Sequence, residues 1–167
     1  VRGMSPLGIG PVLKDRSATN YGLISCLSYL DDKGFGPSLV HRNGVTRARM
    51  FQEMGVAAQC DVSDDASLAA ALDVLDTTLG TDLGNMKGDY VCGQYTLADA
   101  CWAGICQVAM NMGKGQAVSS RSKVNTWFAA VQSHPSTSKE AINPFSCMAT
   151  KADHDAGSMR EIRVNAG

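Results

Sequence analysis

The stretch Gly93-Gln94-Tyr95-Thr96-Leu97-Ala98-Asp99-Ala100 reads as the start of a helix. A threonine at an N-cap accepts from the backbone N–H three residues on, and an acid at that third position reaches back to the N–H of the cap. Thr96 and Asp99 stand at that spacing, and Tyr95 is placed to staple onto the first turn. The residues that follow, from Cys101 and Trp102 through Ile105 and Cys106 to Met110, are apolar on nearly every face. Such a helix is buried rather than laid on a surface, and it predicts a helical domain organised around this segment.

Outward from that helix, other segments show the same period. Leu23, Ile24, Leu27 and Leu30 predict a helix that Asp31-Asp32-Lys33-Gly34-Phe35-Gly36-Pro37 ends. A second helix is expected from Val45 to Gln59 with Ala48, Phe51, Met54 and Ala58 inward. Ser63 is the expected cap of a third, with Asp64 and Asp65 in its first turn and Leu68, Leu72, Leu75 and Leu79 as its core stripe. The central helix should fail at Gly113-Lys114-Gly115, and a last one should run from Ser120 to Ser133 with Val124, Trp127, Phe128 and Val131 inward. Strands are expected only at Pro11-Val12-Leu13 and, weakly, near Thr19 to Tyr21. Residues 143–167 carry alternating charges and no core-forming period, so they read as an extended tail, disordered or laid along a partner.

Composition narrows the function classes. The chain has 167 residues, is 44% hydrophobic, and carries 15 basic against 16 acidic residues, so there is material for a core but no basic footprint for nucleic acid. No apolar run is long enough to cross a bilayer. The six cysteines (Cys26, Cys60, Cys92, Cys101, Cys106 and Cys147) show no CxxC spacing, which favours free thiols over a metal site. His41, His134 and His154 have no nucleophile at a useful spacing and are expected in solvated or capping roles. Asp99 is explained by its cap, so Asp99→Ala is expected to cost about 1–2 kcal/mol and no separate activity. Trp102 and Trp127 read as core anchors.

The capped segment resembles the motif Gly-x-x-Thr-Leu-Ala-Asp in the all-helical C-terminal domain of glutathione transferases. Further resemblances fall in family order. Gly10-Pro11-Val12-Leu13 is similar to the loop and strand holding the family's cis-proline, and the helix ending in Tyr29-Leu30 is similar to the one that follows it. Arg47-Ala48-Arg49 is similar to the opening of the helical domain, and Lys123-Val124-x-x-Trp127 with His134-Pro135-Ser136 to a later helix and its exit. The resemblance implies a mainly α fold, a glutathione-transferase-like C-terminal helical bundle with a small β remnant of a thioredoxin-like domain. Its divisions would be 1–36 for the remnant, 37–142 for the helical domain and 143–167 for the tail. Exposed strand edges in so small a remnant are expected to be covered by another chain or by missing residues.

The resemblance also implies what is lacking. The family activates the glutathione thiol with a Ser, Cys or Tyr near its first strand, and ten residues before Pro11 leave no room for a counterpart. The family's acidic-Ser or Gln-Ser pair, which grips the γ-glutamyl end at a helix N-terminus, is replaced by Gly22 and Leu23. Only a backbone contact at Pro11 and Val12 matches. The Arg47–Leu79 segment is shorter than the family's two long helices, which would reduce the wall over the electrophile site. Catalytic and metal residues are therefore expected to be none, with Thr96, Asp99 and Trp127 as structural motif residues.

Two functions follow from this reading. The first is a non-catalytic structural or interaction subunit docking other protein subunits in a larger assembly. The second is a glutathione-dependent transferase recorded without its N-terminal catalytic half, with glutathione as its cofactor. A free-standing binder of small apolar molecules is a third, needing a pocket that sequence does not show. The first residue is Val, and the expectation from this is either a removed leader or an N-terminal part absent from this record. Cytosol is the default location, and a trimmed leader would fit a mitochondrion or plastid equally well.

Overall fold

The computed structural model describes residues 10–15, 18–34, 37–81 and 88–135. Two strands, β1 (Val12–Asp15) and β2 (Ala18–Tyr21), precede six helices: α1 (Leu23–Lys33), α2 (Gly44–Gln59), α3 (Asp65–Leu79), α4 (Leu97–Asn111), α5 (Gly115–Ser119) and α6 (Ser122–Ser133). The fold is mainly helical with a small antiparallel sheet, Val12 opposite Tyr21 and Asp15 opposite Ala18. The expected tail over 143–167, and the parts of the expected segments at 1–9, 35–36, 82–87 and Ser136, lie outside the described residues.

Helix α4 is central, packing against α1, α2, α5 and α6. Its nearly continuous apolar sequence is accounted for by neighbours on several sides: Ala98, Trp102, Cys106 and Ala109 have no exposed surface, and Met110 alone in the helix is exposed. The α3 stripe behaves as core, with Leu68, Leu72 and Leu75 buried and Leu79 half-buried against the same cluster. The inward residues expected of α6, Val124, Trp127, Phe128 and Val131, are all buried.

Four expectations are corrected. Helix α1 runs through Asp31-Asp32-Lys33 rather than stopping at Leu30. Asp31 takes the N–H of Leu39 at 2.7 Å and so fastens the connector back onto the helix, while Lys33 lies over the Tyr29 ring in the last turn. The α3 cap is Asp64, which accepts from Ala66 and Ser67, because Asp61 has already captured the Ser63 N–H and hydroxyl at 2.9 and 2.6 Å. The last helix begins at Ser122, preceded by the separate short helix α5. Arg121 between them is extended, its guanidinium bonded to Asp73 and to the carbonyls of Ala117 and Ala69, which draws the chain onto α3 and interrupts the helix.

The fourth correction concerns the face of α2. Thr46, Met50, Glu53, Met54 and Ala57 are buried, whereas Ala48, Phe51 and Ala58 are exposed. Met54 alone survives from the expected inward set. The buried face carries Met50, Met54 and Ala57, and it also takes in the acid Glu53, whose partners lie inside the bundle.

Candidate functional site

The residues singled out by sequence occupy two separate places. The first is the amino-terminal hairpin. The Gly10–Pro11 peptide is cis, and the Pro11 carbonyl accepts the Gly22 N–H at 2.9 Å and the Cys26 thiol at 3.6 Å. In an antiparallel ladder, hydrogen-bonded and non-bonded pairs alternate. A bonded 11/22 pair therefore makes Val12 and Tyr21 a non-bonded pair, and the Val12 N–H and C=O point to the outer edge of β1. The start of α1 lies beside this edge in sequence. Its N-cap, Gly22, has φ 85° and supplies no side-chain hydrogen bond, and Leu23 is half-buried against the core. The Tyr29 hydroxyl donates to Asp15 at 2.7 Å, tying α1 to β1. Burial pushes the Cys26 thiol up, away from thiolate.

The second place is the start of α4. Thr96 and Asp99 form the expected capping box, and both are fully buried. Asp99 does more than cap. One carboxylate oxygen accepts the Thr96 N–H at 2.9 Å and the Thr96 hydroxyl at 3.1 Å; the other accepts the Val91 N–H at 2.9 Å and the Trp127 indole N–H at 2.8 Å. Four donors thus converge on one carboxylate and join the preceding loop, the α4 cap and α6. Burial raises the Asp99 pKa, and these donors, Trp127 foremost, oppose the rise by holding the anion. Tyr95 finds aromatic partners here: it stacks on His134 at 4.1 Å between centroids, and Tyr90 meets both rings edge-on. His134 is therefore half-buried in a packed cluster rather than solvated. His41 keeps a capping role, its Nδ1 accepting the Asn43 N–H at 3.0 Å. His154 lies outside the described residues.

A polar group that sequence did not single out lies between α2, α3 and α4. Glu53 is 1% exposed, and its Oε1 receives Arg49 at 2.8 Å and the Thr78 hydroxyl at 3.3 Å. The same Arg49 nitrogen donates to Thr78 at 3.1 Å. The Trp102 indole lies against this carboxylate and helps to lower its pKa, without closing a hydrogen bond of normal geometry. Desolvation outweighs Arg49, Thr78 and Trp102 together, so the Glu53 pKa is raised. Arg49 and Glu53 are four apart, a pair that sequence spacing exposes readily, but nothing local marks the acid as buried.

The thiols among the described residues are of the structural kind. Burial raises Cys26 and Cys60, and pushes Cys92 to about 11 and Cys101 and Cys106 to about 12. Among the described residues no group of three His, Cys, Asp or Glu side chains could hold a metal ion. A cavity of about 330 Å³ lies between the end of α3 and α6, lined by Leu79, Asp89, Ser122, Lys123 and Trp127 among others. It lies on the α6 side of the bundle, and neither Pro11 nor Val12 lines it. No helix in the described residues is long and apolar enough to cross a membrane. Compared with known proteins, the chain matches no family model and no curated protein.

Proposed function

We propose that this chain is a non-catalytic structural or interaction subunit with a glutathione-transferase-like helical scaffold, docking other protein subunits through its helical faces. The observation that carries the reading is the start of α1. At the position where the resemblance implies a side-chain grip on a γ-glutamyl carboxylate, Gly22 offers no side-chain hydrogen bond and Leu23 turns into the apolar core. A charge-assisted hydrogen bond contributes about 1.5–3 kcal/mol, so losing two of them weakens a ligand by two to four powers of ten, in round figures. The outward backbone of Val12 alone is too little to hold a tripeptide in water. The raised thiols agree with this, since a buried protonated thiol is a poor nucleophile.

The test is a calorimetric titration of the full chain with reduced glutathione. No saturable heat is expected up to about 5 mM, a ceiling that corresponds to roughly 3 kcal/mol of binding. Saturation in the micromolar range, with conjugation of an aryl halide in the same sample, would establish instead a glutathione-dependent transferase.

A further inference from the structure

We propose that residues 141–150, just past α6, fold back onto their own bundle and seat the Phe145 ring in a groove between the end of α4, α5 and α6. The groove has a volume of about 120 Å³ and is lined by Met110, Gly115, Val118, Phe128 and Ala129, with Asn125 among its polar residues. Val118 and Phe128 are buried and form its floor, whereas Met110, the one exposed residue of α4, stands 45% open to water. A Cβ built on Gly115 would meet the Met110 side chain at 3.9 Å, so a larger residue there would fill part of this space. An apolar cavity of about 150 Å³ holds one benzene, so a groove of this size, open on its outer side, takes one phenyl ring and little more. None of the described residues lining it carries a charge.

The sequence past α6 supplies one matching occupant. Phe145 is the only aromatic residue from 136 to 167, a stretch that lies outside the described residues. It sits in the longest uncharged run of that stretch, Ala141 to Thr150, between Glu140 and Lys151. An uncharged segment thus matches an uncharged groove, and no ion is stranded in an apolar place. Ten residues separate Pro135 from Phe145, up to about 33 Å of extended chain. The face of α6 from Gln132 back to Asn125 measures only about 10 Å, so the chain has room to turn and lie along it. The Asn143-Pro144 pair favours extended backbone on the approach, which lessens what ordering costs. Attachment to α6 raises the local concentration of the ring to about millimolar, at which one side chain in one shallow groove suffices. A side chain from another protein would have to hold the same small space without that advantage.

The thiol of Cys147, two residues past Phe145, reads the contact in the full chain. Its alkylation by iodoacetamide, followed by mass spectrometry, tracks the fraction of time the segment is free of the groove. Phe145→Ala is expected to raise the Cys147 rate about tenfold, as is Ala129→Glu, which puts a charge at an exposed position in the groove. The two together should be no faster than either alone, because both break one contact. Should Ala129→Glu lose the helical circular dichroism spectrum of the parent, Met110→Lys serves the same purpose. In methionine methyl NMR spectra, Phe145→Ala should move the Met110 signal as the ring current is lost, while the buried Met50 and Met54 stay in place. Protection of Cys147 should be the same at about 1 and about 100 μM, a range that exposes micromolar pairing of two chains. A Cys147 rate unchanged by either substitution, effects of the two that multiply, a Met110 signal that does not move, or protection confined to the higher concentration would overturn the proposal. The last of these would give the groove to the tail of a second copy.

Discussion

Asp99 shows how one side chain can have a local role and a global one. Its link to Thr96 spans three residues and is visible in the sequence because a capping box has a fixed spacing. Its link to Trp127 spans 28 residues and depends on how α6 returns to the start of α4, which no local pattern encodes. The cap alone accounts for about 1–2 kcal/mol. Removing the carboxylate also strands the Trp127 and Val91 donors in a dry core, so Asp99→Ala is expected to cost about 3–5 kcal/mol in urea unfolding. Trp127→Phe, which removes one of the four donors, should cost about 1–2 kcal/mol. A measured Asp99→Ala cost no larger than that of Thr96→Ala would show that the link to α6 contributes nothing. Glu53 makes a different prediction, because its folded pKa is raised. The stability it contributes is complete below its unfolded pKa and is lost as pH rises through the folded one. Asp99 shifts in the same direction. Parent stability should therefore fall as pH rises above about 4.5, the ordinary glutamate range, towards neutrality, and Glu53→Gln should flatten part of that slope, leaving the Asp99 share. Equal slopes in parent and variant would remove Glu53 from the account.

At the scale of elements, what was legible is what a single helix determines by itself. Helix α4 declares its burial because apolar residues lie on nearly all its faces, and α3 declares its inner face because Leu68, Leu72 and Leu75 form a single stripe. Helix α2 offers two apolar stripes, one through Ala48, Phe51 and Ala58 and another through Met50, Met54 and Ala57. The buried face is the one carrying Met50, Met54 and Ala57, and Glu53 is accommodated among them because Arg49 and a threonine from α3 meet it there, partners that the sequence of α2 alone does not show. The α3 cap was displaced by one residue for a similar reason, competition between Asp61 and the helix for one serine. Entry into α4 depends on a close backbone approach that composition only hints at. A Cβ added to Gly88 would come within 1.9 Å of the Gly93 carbonyl oxygen. Backbone cannot yield as a flexible side chain would, so Gly88→Ala must open the turn that delivers Val91 to Asp99. A loss of about 1–3 kcal/mol is expected, with the far-ultraviolet spectrum preserved, because α4 itself is untouched. Unchanged thermal unfolding would mean that the turn adjusts freely.

Over the whole molecule, burial is unevenly distributed. Among the described residues before α2, Cys26 alone is buried, and the hairpin has no fully buried side chain. The core is instead built from α2 to α6 and the loop through Val91 and Cys92, with Leu23, Ile24 and Leu27 of α1 applied to its outside. Hydrogen bonds within β1 and β2 are therefore covered by few apolar atoms, whereas those of α4 are enclosed by four other helices. Segments with little buried apolar area open locally at low free-energy cost, and central ones open only with the whole chain. Native-state hydrogen exchange should consequently give α4 amides the free energy of global unfolding. Amides of β1 and β2 should exchange through an opening that is several kcal/mol cheaper and nearly independent of denaturant, because it exposes little surface. The outward Val12 N–H should be among the fastest, since the ladder gives it no partner on the β2 side. Hairpin amides protected as strongly as those of Trp102 or Cys106 would show that the sheet is part of one cooperative unit with the bundle, and the described helices alone would then not account for the stability of the fold.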